Sequence, residues 1–301
     1  AQTSWQLNTS KISSKWAKQV SPENVWQEYP RPQMVRDQWL NLNGLWDYAI
    51  TDSNKDNPGT MDGTILVPFA VESALSGVRK RISENNLLWY KRTFEIPSNW
   101  KGKDILLHFG AVDWEAIVYV NGIKVGTHQG GYTSFSFDIS HALNTSGPQE
   151  LLISVWDPTR NGTQPRGKQV VKPQGIWYTP VSGIWQTVWL EPVPPQSIKR
   201  LRATPNLEAG RLELDIEAVG SLRTRLSANA VVKKDGKIIR EVSGKIGEEQ
   251  RRGLAVWKTL NVVMKKEGFI VHSDVWWHFD YDKWRDFEVQ DKPPTKIFGH
   301  S

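Results

Sequence analysis

Apolar and polar residues alternate with a period of two through much of the first two hundred positions. The clearest case is the segment 104–139, where three sets of apolar residues each share one face of an extended chain: Ile105, Leu107 and Phe109; Ala116, Val118 and Val120; Phe135, Phe137 and Ile139. A helix repeats every 3.6 residues and does not produce this alternation, whereas a half-buried strand does. The pattern predicts an antiparallel β-sheet core.

An Asn-Gly pair, Asn121 and Gly122, separates two of these alternating runs. Both central residues of a type I′ turn need a positive φ, which Gly adopts freely and Asn tolerates. We therefore expect a tight β-hairpin whose two strands meet at this pair.

Further strand-like runs with hardly any helical period surround this core. They cover residues 40–50, 65–69, 89–96, 151–156 and 184–190. Two long loops lie between them, 71–86 with its basic run Arg79, Lys80 and Arg81, and 157–173. Short strands joined by polar turns predict an all-β chain that begins with a jelly-roll β-sandwich.

A proline-rich linker at Pro192, Pro194 and Pro195 predicts a domain boundary. Residues 1–195 then form the jelly-roll domain with an extended N-terminal lead-in. Residues 196–301 match an immunoglobulin-like β-sandwich in size and show strand-like runs as far as about residue 242. The stretch 251–301 is rich in aromatic and charged residues without a clean period, so its assignment, as a natural end, a truncation or a frame shift, stays open.

Composition excludes several classes of protein. No run approaches the roughly 18 apolar residues of a membrane span, so no membrane partner is expected. The net charge of +6 is scattered rather than gathered into a basic stripe, which argues against a nucleic-acid partner.

Cysteine is absent, which excludes disulfides and thiolate metal sites and suits a bacterial periplasmic or extracellular protein. The start at Ala1 fits the mature end after signal-peptide cleavage, although a trimmed chain begins the same way.

Sixteen Trp residues are an unusual number for this length. The apolar faces of sugar rings stack on indole, so this number favours carbohydrate binding in an all-β chain. The alternative is that Trp fills the core of the sandwich.

Six short motifs then stand in a recognisable order. They are ENNLLWYKRTF at 84–94, LHFG at 107–110, VYVNG at 118–122, SFDI at 136–139, ISVWD at 153–157 and GIWQTVWLE at 183–191. In this order they resemble the N-terminal sugar-binding domain of glycoside hydrolase family 2, the β-galactosidase, β-glucuronidase and β-mannosidase family. The resemblance covers about residues 26–195 and implies a galactose-binding-domain-like jelly roll. Residues 196–250 resemble the family's second, immunoglobulin-like domain.

The resemblance implies hydrolysis of β-glycosidic bonds with retention, carried out by two glutamates of a (β/α)₈ barrel. Such a barrel needs about 250 residues, more than residues 196–301 provide, so no catalytic residue is assigned and the chain alone is expected to be inactive. Its partners would be a saccharide and a catalytic barrel domain. The alternatives are a free-standing carbohydrate-binding module and a structural sandwich without a ligand.

The resemblance also points to one sugar-contacting residue. Asn85, in the loop before the strand of Trp89 and Tyr90, matches a family position that hydrogen-bonds sugar hydroxyls. The alternative is an Asn that caps a turn. A second family position, an Asp, is replaced here by Gly175, which leaves the identity of the sugar and its linkage open.

The loop 157–178 supplies the other candidates, Arg166, Trp177 and Tyr178. An Arg/Trp pair on a loop of a rigid sandwich suits sugar binding, with the guanidinium serving hydroxyls or a carboxylate. The alternative places Trp177 in the core and pairs Arg166 with an acid.

No cofactor is predicted, because the nucleotide-binding and nucleophile motifs are missing. In the tail, the pairs His272 with Asp274 and His278 with Asp280 lack the spacing of metal ligands. The acidic residues there are expected to form a solvated face: Asp280, Asp282, Asp286 and Glu288. A structural cation in the jelly roll cannot be read from spacing and stays open.

Overall fold

The computed structural model describes residues 5–8, 13–31, 33–206, 208, 210–219, 227–234, 236–245, 255–263, 269–271 and 279–281. The chain forms two compact units, one of Ala1–Pro30 with Arg36–Val193 and one of Arg31–Val35 with Pro194–Ser301. The domain assignment made from the sequence, 1–195 and 196–301, stays a prediction.

The first unit is built from short strands. They are β1 (Leu40–Asn41), β2 (Gly44–Asp52), β3 (Gly63–Val67), β4 (Asn86–Phe94), β5 (Asp104–Phe109), β6 (Val112–Asp113), β7 (Glu115–Val120), β8 (Ile123–Gln129), β9 (Phe135–Asp138), β10 (Gln149–Trp156), β11 (Gly183–Ile184) and β12 (Val188–Val193). Single 3₁₀ turns stand at Ala17–Gln19, Ser98–Trp100 and Ser140–Ala142. The described part of the chain contains no helix with the length and apolar character that a membrane span requires.

Two antiparallel sheets make up the body of this unit. One has six strands in the order β3-β2-β4-β10-β7-β8, and the other has four in the order β1-β12-β5-β9. A single apolar core joins them, with Trp46 and Tyr90 from the larger sheet and Leu107 and Leu190 from the smaller. The prediction of an all-β sandwich is confirmed. The alternation of apolar residues led to this prediction, because each sheet of a sandwich buries one of its two faces.

The predicted hairpin joins β7 to β8. Val120 pairs with Ile123, and the two turn residues have φ values of 49° at Asn121 and 79° at Gly122. These positive angles are what a type I′ turn requires, so the prediction from the Asn-Gly pair is confirmed.

The strand predicted at 184–190 is two strands, β11 and β12. β11 pairs with β6, whereas β12 pairs with β5 in the four-stranded sheet. The strand opposite is interrupted at the same position, between β5 and β6. There the backbone N–H of Gly110 donates to the carbonyl of Thr187 at 2.9 Å. Both segments leave the four-stranded sheet at this point. The order of apolar residues along the sequence does not reveal this change of sheet.

The four-stranded sheet is covered on its outer face as well. Every residue of β12 is buried, including Glu191, and His108 on β5 is buried beside it. The lead-in contributes to this cover, since Tyr29 and Arg36 both bond to the Glu191 carboxylate. Buried polar groups in this sheet are therefore paired, as their burial demands.

The second unit has strands of its own. They are β13 (Ser197–Asn206), β14 (Arg211–Val219), β15 (Ser227–Lys234), β16 (Lys237–Lys245), β17 (Ala255–Val263), β18 (Phe269–Val271) and β19 (Phe279–Tyr281). The sheet β13-β14-β17 and the hairpin β15–β16 share a small cluster around Ile216 and Ala228. The immunoglobulin-like assignment stays a prediction. Asp280 lies in β19, and the other His and acidic residues considered in the tail lie outside the described residues.

Candidate functional site

The register of the six-stranded sheet gathers several loops at one of its ends. Asp52, the last residue of β2, pairs with Asn86, the first of β4, and Trp156, the last of β10, pairs with Glu115, the first of β7. The indole N–H of Trp156 donates to the carbonyl of Glu84 at 2.8 Å, which joins the two groups of loops. The segment before β4 and the long loop after β10 therefore leave the sheet side by side.

Asn85 lies at this end with its side chain exposed. Its backbone carbonyl accepts from the N–H of Ser53 at 2.8 Å, and its amide group makes no hydrogen bond to the described residues. The turn is capped by the next residue, since Oδ1 of Asn86 accepts from the backbone N–H of Ser83 at 3.0 Å and from its hydroxyl at 2.9 Å. The capping role considered for Asn85 therefore belongs to Asn86, and the amide of Asn85 faces solvent.

The long loop 157–182 is closed at its base by buried polar groups. The hydroxyl of Ser182 donates to Oδ2 of Asp157 at 2.5 Å, and the backbone N–H of Thr159 donates to Oδ1 at 2.6 Å. The backbone N–H of Ser182 donates to Oε2 of Glu72 at 3.0 Å. These bonds tie the two ends of the loop to each other and to the loop 71–85.

Three carboxyl groups near this base carry raised pKa values. Burial raises the pKa of Glu72 to about 8 and that of Asp113 to about 7. Burial also raises the pKa of Asp157, and the charge of Asp157 adds to the increase at the other two. Burial disfavours the ionised form of a carboxyl group. Glu72 is therefore mostly protonated at neutral pH.

The outer part of the loop holds aromatic side chains in the open. Trp177 is 45% exposed and Tyr178 is 67% exposed, and Tyr132, from the segment between β8 and β9, is 53% exposed. Gln169 connects Tyr132 to Tyr178. Its side-chain amide donates to the Tyr132 hydroxyl at 3.4 Å, and its backbone pairs with that of Tyr178. Tyr132, Trp177 and Tyr178 are called the aromatic surface below.

The backbone around Tyr178 is firmly placed. Its N–H donates to the carbonyl of Lys168 at 2.9 Å, and its carbonyl accepts from the N–H of Val170 at 3.0 Å. The side-chain carbonyl of Gln169 also accepts from the N–H of Val181 at 2.6 Å. An exposed ring on such a braced segment is pre-organised, which reduces the entropy lost when a ligand binds.

The sugar-binding residues predicted from the sequence lie in different environments. Trp177 is exposed rather than packed in the core. Arg166 donates to the carbonyl of Arg160, so its guanidinium is engaged by the start of its own loop. Gly175, where the family has an Asp, has a φ of 58°, and a Cβ there would meet nothing within 4 Å. The structure thus unites Trp177 and Tyr178 and leaves the role of Arg166 as a sugar ligand a prediction.

A cleft of about 420 Å³ lies next to this surface. Its lining residues come from three separate segments: Asn8, Glu72, Arg79, Arg81 and Thr179. The set is called the arginine cleft below. Sequence reasoning noted the basic run 79–81 but missed the cleft, because Asn8 and Thr179 are far away in the chain. Among the described residues, no group of three or more His, Asp or Glu side chains has an arrangement suited to a metal ion.

Comparison with known proteins finds a family model that matches much of this unit. Residues 68–194 match the family model described as glycosyl hydrolases family 2, sugar binding domain. A β-galactosidase of Thermoanaerobacter pseudethanolicus is 29% identical over 214 residues, which cover 69% of this chain and 27% of that protein. The β-glucuronidase of Canis lupus familiaris is 25% identical over 262 residues, which cover 76% of this chain and 40% of that protein.

The fold is shared with solved structures. The β-glucuronidase of Bacteroides uniformis superposes with a TM-score of 0.53 at 22% identity, over 75% of this chain and 28% of that one. The chain thus spans well under half the length of these relatives. The matched motifs, the sandwich and the family model agree: residues 68–194 of this chain match the sugar-binding domain of glycosyl hydrolases family 2.

Proposed function

We propose that this chain is the saccharide-binding N-terminal region of a family 2 enzyme that hydrolyses β-glycosidic bonds. The observation that carries the proposal is the aromatic surface on a braced loop within a domain whose family model is named for sugar binding. The names of the relatives, β-galactosidase and β-glucuronidase, support β-glycosides as the substrate class. In this proposal a barrel domain outside these 301 residues supplies the catalytic carboxylates.

The residues of this chain would bind and orient the sugar. Trp177 and Tyr178 offer ring faces against which the C–H face of a pyranose stacks. The free amide of Asn85, at the same end of the sheet, offers both a donor and an acceptor to sugar hydroxyls. Apolar stacking with a few placed polar groups is the usual composition of a small-ligand site.

The second candidate is a free-standing carbohydrate-binding module. The observation that favours it is that the aromatic surface, its bracing by Gln169 and the exposed Asn85 all lie within one compact unit. No residue of another domain is needed to shape this surface. A module of this kind would bind saccharides without a catalytic partner.

The test is calorimetric titration of the whole 301-residue chain with neutral β-linked oligosaccharides. Chromogenic β-galactosides, β-glucuronides and β-mannosides are assayed in parallel. We expect binding without turnover, and a loss of affinity of about tenfold in Trp177→Ala, which corresponds to about 1.4 kcal/mol. Trp16→Ala is the matched control, because Trp16 lies in the lead-in and is similarly exposed, at 43%.

The outcomes separate the candidates. Binding that Trp177→Ala weakens and Trp16→Ala leaves intact supports a saccharide site on the aromatic surface. Adding a separately produced family 2 barrel domain then distinguishes the two forms of the proposal, since only the N-terminal region of an enzyme gains affinity from it. Turnover by the chain alone would contradict the assignment of catalysis to another domain.

A further inference from the structure

We propose that the arginine cleft binds an anionic group, a carboxylate or a sulfate ester, on the saccharide that the aromatic surface holds. This inference rests on the proposed saccharide binding and names the class of saccharide, an acidic one. It assigns a role to Arg79, Arg81 and Glu72.

The two guanidinium groups of the cleft have unused hydrogen-bonding capacity. Arg81 uses Nη1 to donate to the carbonyl of Val171 at 2.8 Å, and Arg79 makes one long contact, 3.5 Å from Nη1 to Oδ1 of Asn8. Neither group forms an ion pair with any of the described residues. Each guanidinium carries five N–H donors, so most donors of both residues are available to a ligand.

The acid in the cleft does not neutralise these cations. Oε2 of Glu72 accepts from the N–H of Ser182, while Oε1 is buried and has no hydrogen-bond partner among the described residues. Burial raises the pKa of Glu72 to about 8, so the group is mostly uncharged at neutral pH. A protonated carboxyl group carries no charge, so Glu72 does not repel an anion that binds beside it.

The third basic residue of the run is directed elsewhere. The ammonium of Lys80 lies 5.5 Å from the centre of the Tyr48 ring. Tyr48 lines a different cleft, together with Trp5 and Asp62. The arginine cleft is therefore formed by Arg79 and Arg81 and not by the basic run as a whole, which makes Lys80 a neighbouring control of equal charge.

The cleft adjoins the aromatic surface through the chain itself. Thr179, which lines the cleft, directly follows Tyr178, and the bond from Arg81 to Val171 fixes the cleft to the same loop. The cleft and the aromatic surface therefore belong to the same loop, so one extended saccharide has both within its reach in this proposal. The volume of about 420 Å³ lies in the usual range for small-ligand sites.

The chemistry of the cleft selects an anion. Guanidinium groups bind carboxylate and sulfate oxygens through paired N–H donors, with geometric specificity that an ammonium lacks. A neutral sugar offers no negative charge to these two exposed guanidinium groups. An acidic sugar residue supplies that charge.

The experiment is calorimetric titration of the full chain at pH 7 with three oligosaccharides of equal length. One is a β-(1→4)-linked oligoglucuronate, which carries only carboxylates, one is a sulfated cello-oligosaccharide, and one is the neutral cello-oligosaccharide, so that all three share the β-(1→4) linkage. We expect at least one acidic oligosaccharide to bind at least tenfold more tightly than the neutral one. The preference should shrink as salt is added, because exposed guanidinium groups are screened. Which acidic arm binds identifies carboxylate or sulfate as the group.

Two variants locate the effect. Arg79 has a φ of 56°, a conformation that Asn tolerates better than most residues, so Arg79→Asn removes the charge with little backbone strain. We expect it to reduce the ratio of the acidic to the neutral affinity at least fivefold. Lys80→Asn, which removes the same charge from the adjacent residue, should change the preference less than twofold.

Each contrary result has a distinct meaning. Equal affinity for acidic and neutral oligosaccharides overturns the inference and leaves the saccharide-binding proposal standing. Equal losses in Arg79→Asn and Lys80→Asn also overturn it, because a diffuse positive field would then explain the preference. No binding of any oligosaccharide removes the proposed function and the inference together.

Discussion

The hydroxyl of Ser182 and the carboxyl of Asp157, 25 positions apart in the chain, meet at 2.5 Å in the buried base of the long loop. Both residues are almost fully buried. The contact closes the loop that carries Trp177 and Tyr178, so the position of the aromatic surface depends on it.

Ser182→Ala should therefore destabilise the first unit. The substitution leaves Oδ2 of Asp157 buried without its donor, which costs about 1–3 kcal/mol of unfolding free energy. Urea titration followed by Trp fluorescence measures it. Ser134→Ala, at an exposed serine, is the control and should change little. Equal unfolding midpoints for the two variants would show that the contact does not brace the loop.

Ionisation of Glu72 should make the unfolding free energy depend on pH. Its folded pKa, about 8, lies above the usual 4.5. Between these values the folded state keeps a proton that the unfolded state loses, so stability falls as pH rises, by up to about 1.4 kcal/mol per pH unit. Asp113 and Asp157, also raised, act in the same direction.

Glu72→Gln tests this, because an amide cannot ionise. Unfolding free energies from urea titrations at pH 5 to 8.5 should fall less steeply with pH in the variant than in the wild type. The difference between the two unfolding free energies should change progressively as pH rises and level off above about pH 8. Parallel curves for the two proteins would refute a protonated Glu72 in the folded state.

Ionisation of Glu191 should have the opposite effect, so that the unfolding free energy decreases as pH falls. Burial alone would raise its pKa, but His108, Tyr29 and Trp189 stabilise the carboxylate and lower the pKa to about 2. The lowered value stabilises the folded state above pH 4.5, and this stability is lost as pH falls from 4.5 towards 2. Acid titration of Glu191→Gln should show less of this loss than the wild type.

Arg36→Met tests the ion pair itself. Nε of Arg36 lies 2.8 Å from Oε2 of Glu191, whose side chain is fully buried. Removing the cation leaves a buried charge with less compensation and should cost about 3 kcal/mol. The control is Lys91→Met, at a 2.6 Å pair with Glu150 whose side chains are 37% and 45% exposed. That change should cost under about 1 kcal/mol, and thermal melting compares the two.

Asn85 and Asn86 offer a matched pair of adjacent substitutions. Asn86→Ala removes the bonds to Ser83 and should lower the unfolding free energy by about 1 kcal/mol. Asn85→Ala removes a side-chain amide that has no hydrogen-bond partner among the described residues, so stability should hold while affinity for a bound oligosaccharide falls. Melting temperatures and calorimetric affinities are measured on both. A stability loss at Asn85 with intact binding would reverse their assigned roles.

Features that depend on neighbouring residues could be predicted from the order of amino acids alone. The two-residue period predicted the strands of the sandwich, and Asn121 with Gly122 predicted the hairpin, because side-chain alternation and turn angles are local properties. The ordered motifs identified the family for the same reason, since each motif is a short continuous run. The long loop and its aromatic residues were likewise visible as a polar interruption between strands.

The positions of the side chains in those loops depend on the folded unit as a whole. Whether Trp177 is exposed, and whether Asn85 or Asn86 caps the turn, depends on which strands pair and where the loops leave the sheet. Ser182 meets Glu72 across 110 positions of sequence, and the arginine cleft joins Asn8 to Thr179. Contacts at such separations arise from the packing of the whole unit, and no local pattern of residues encodes them.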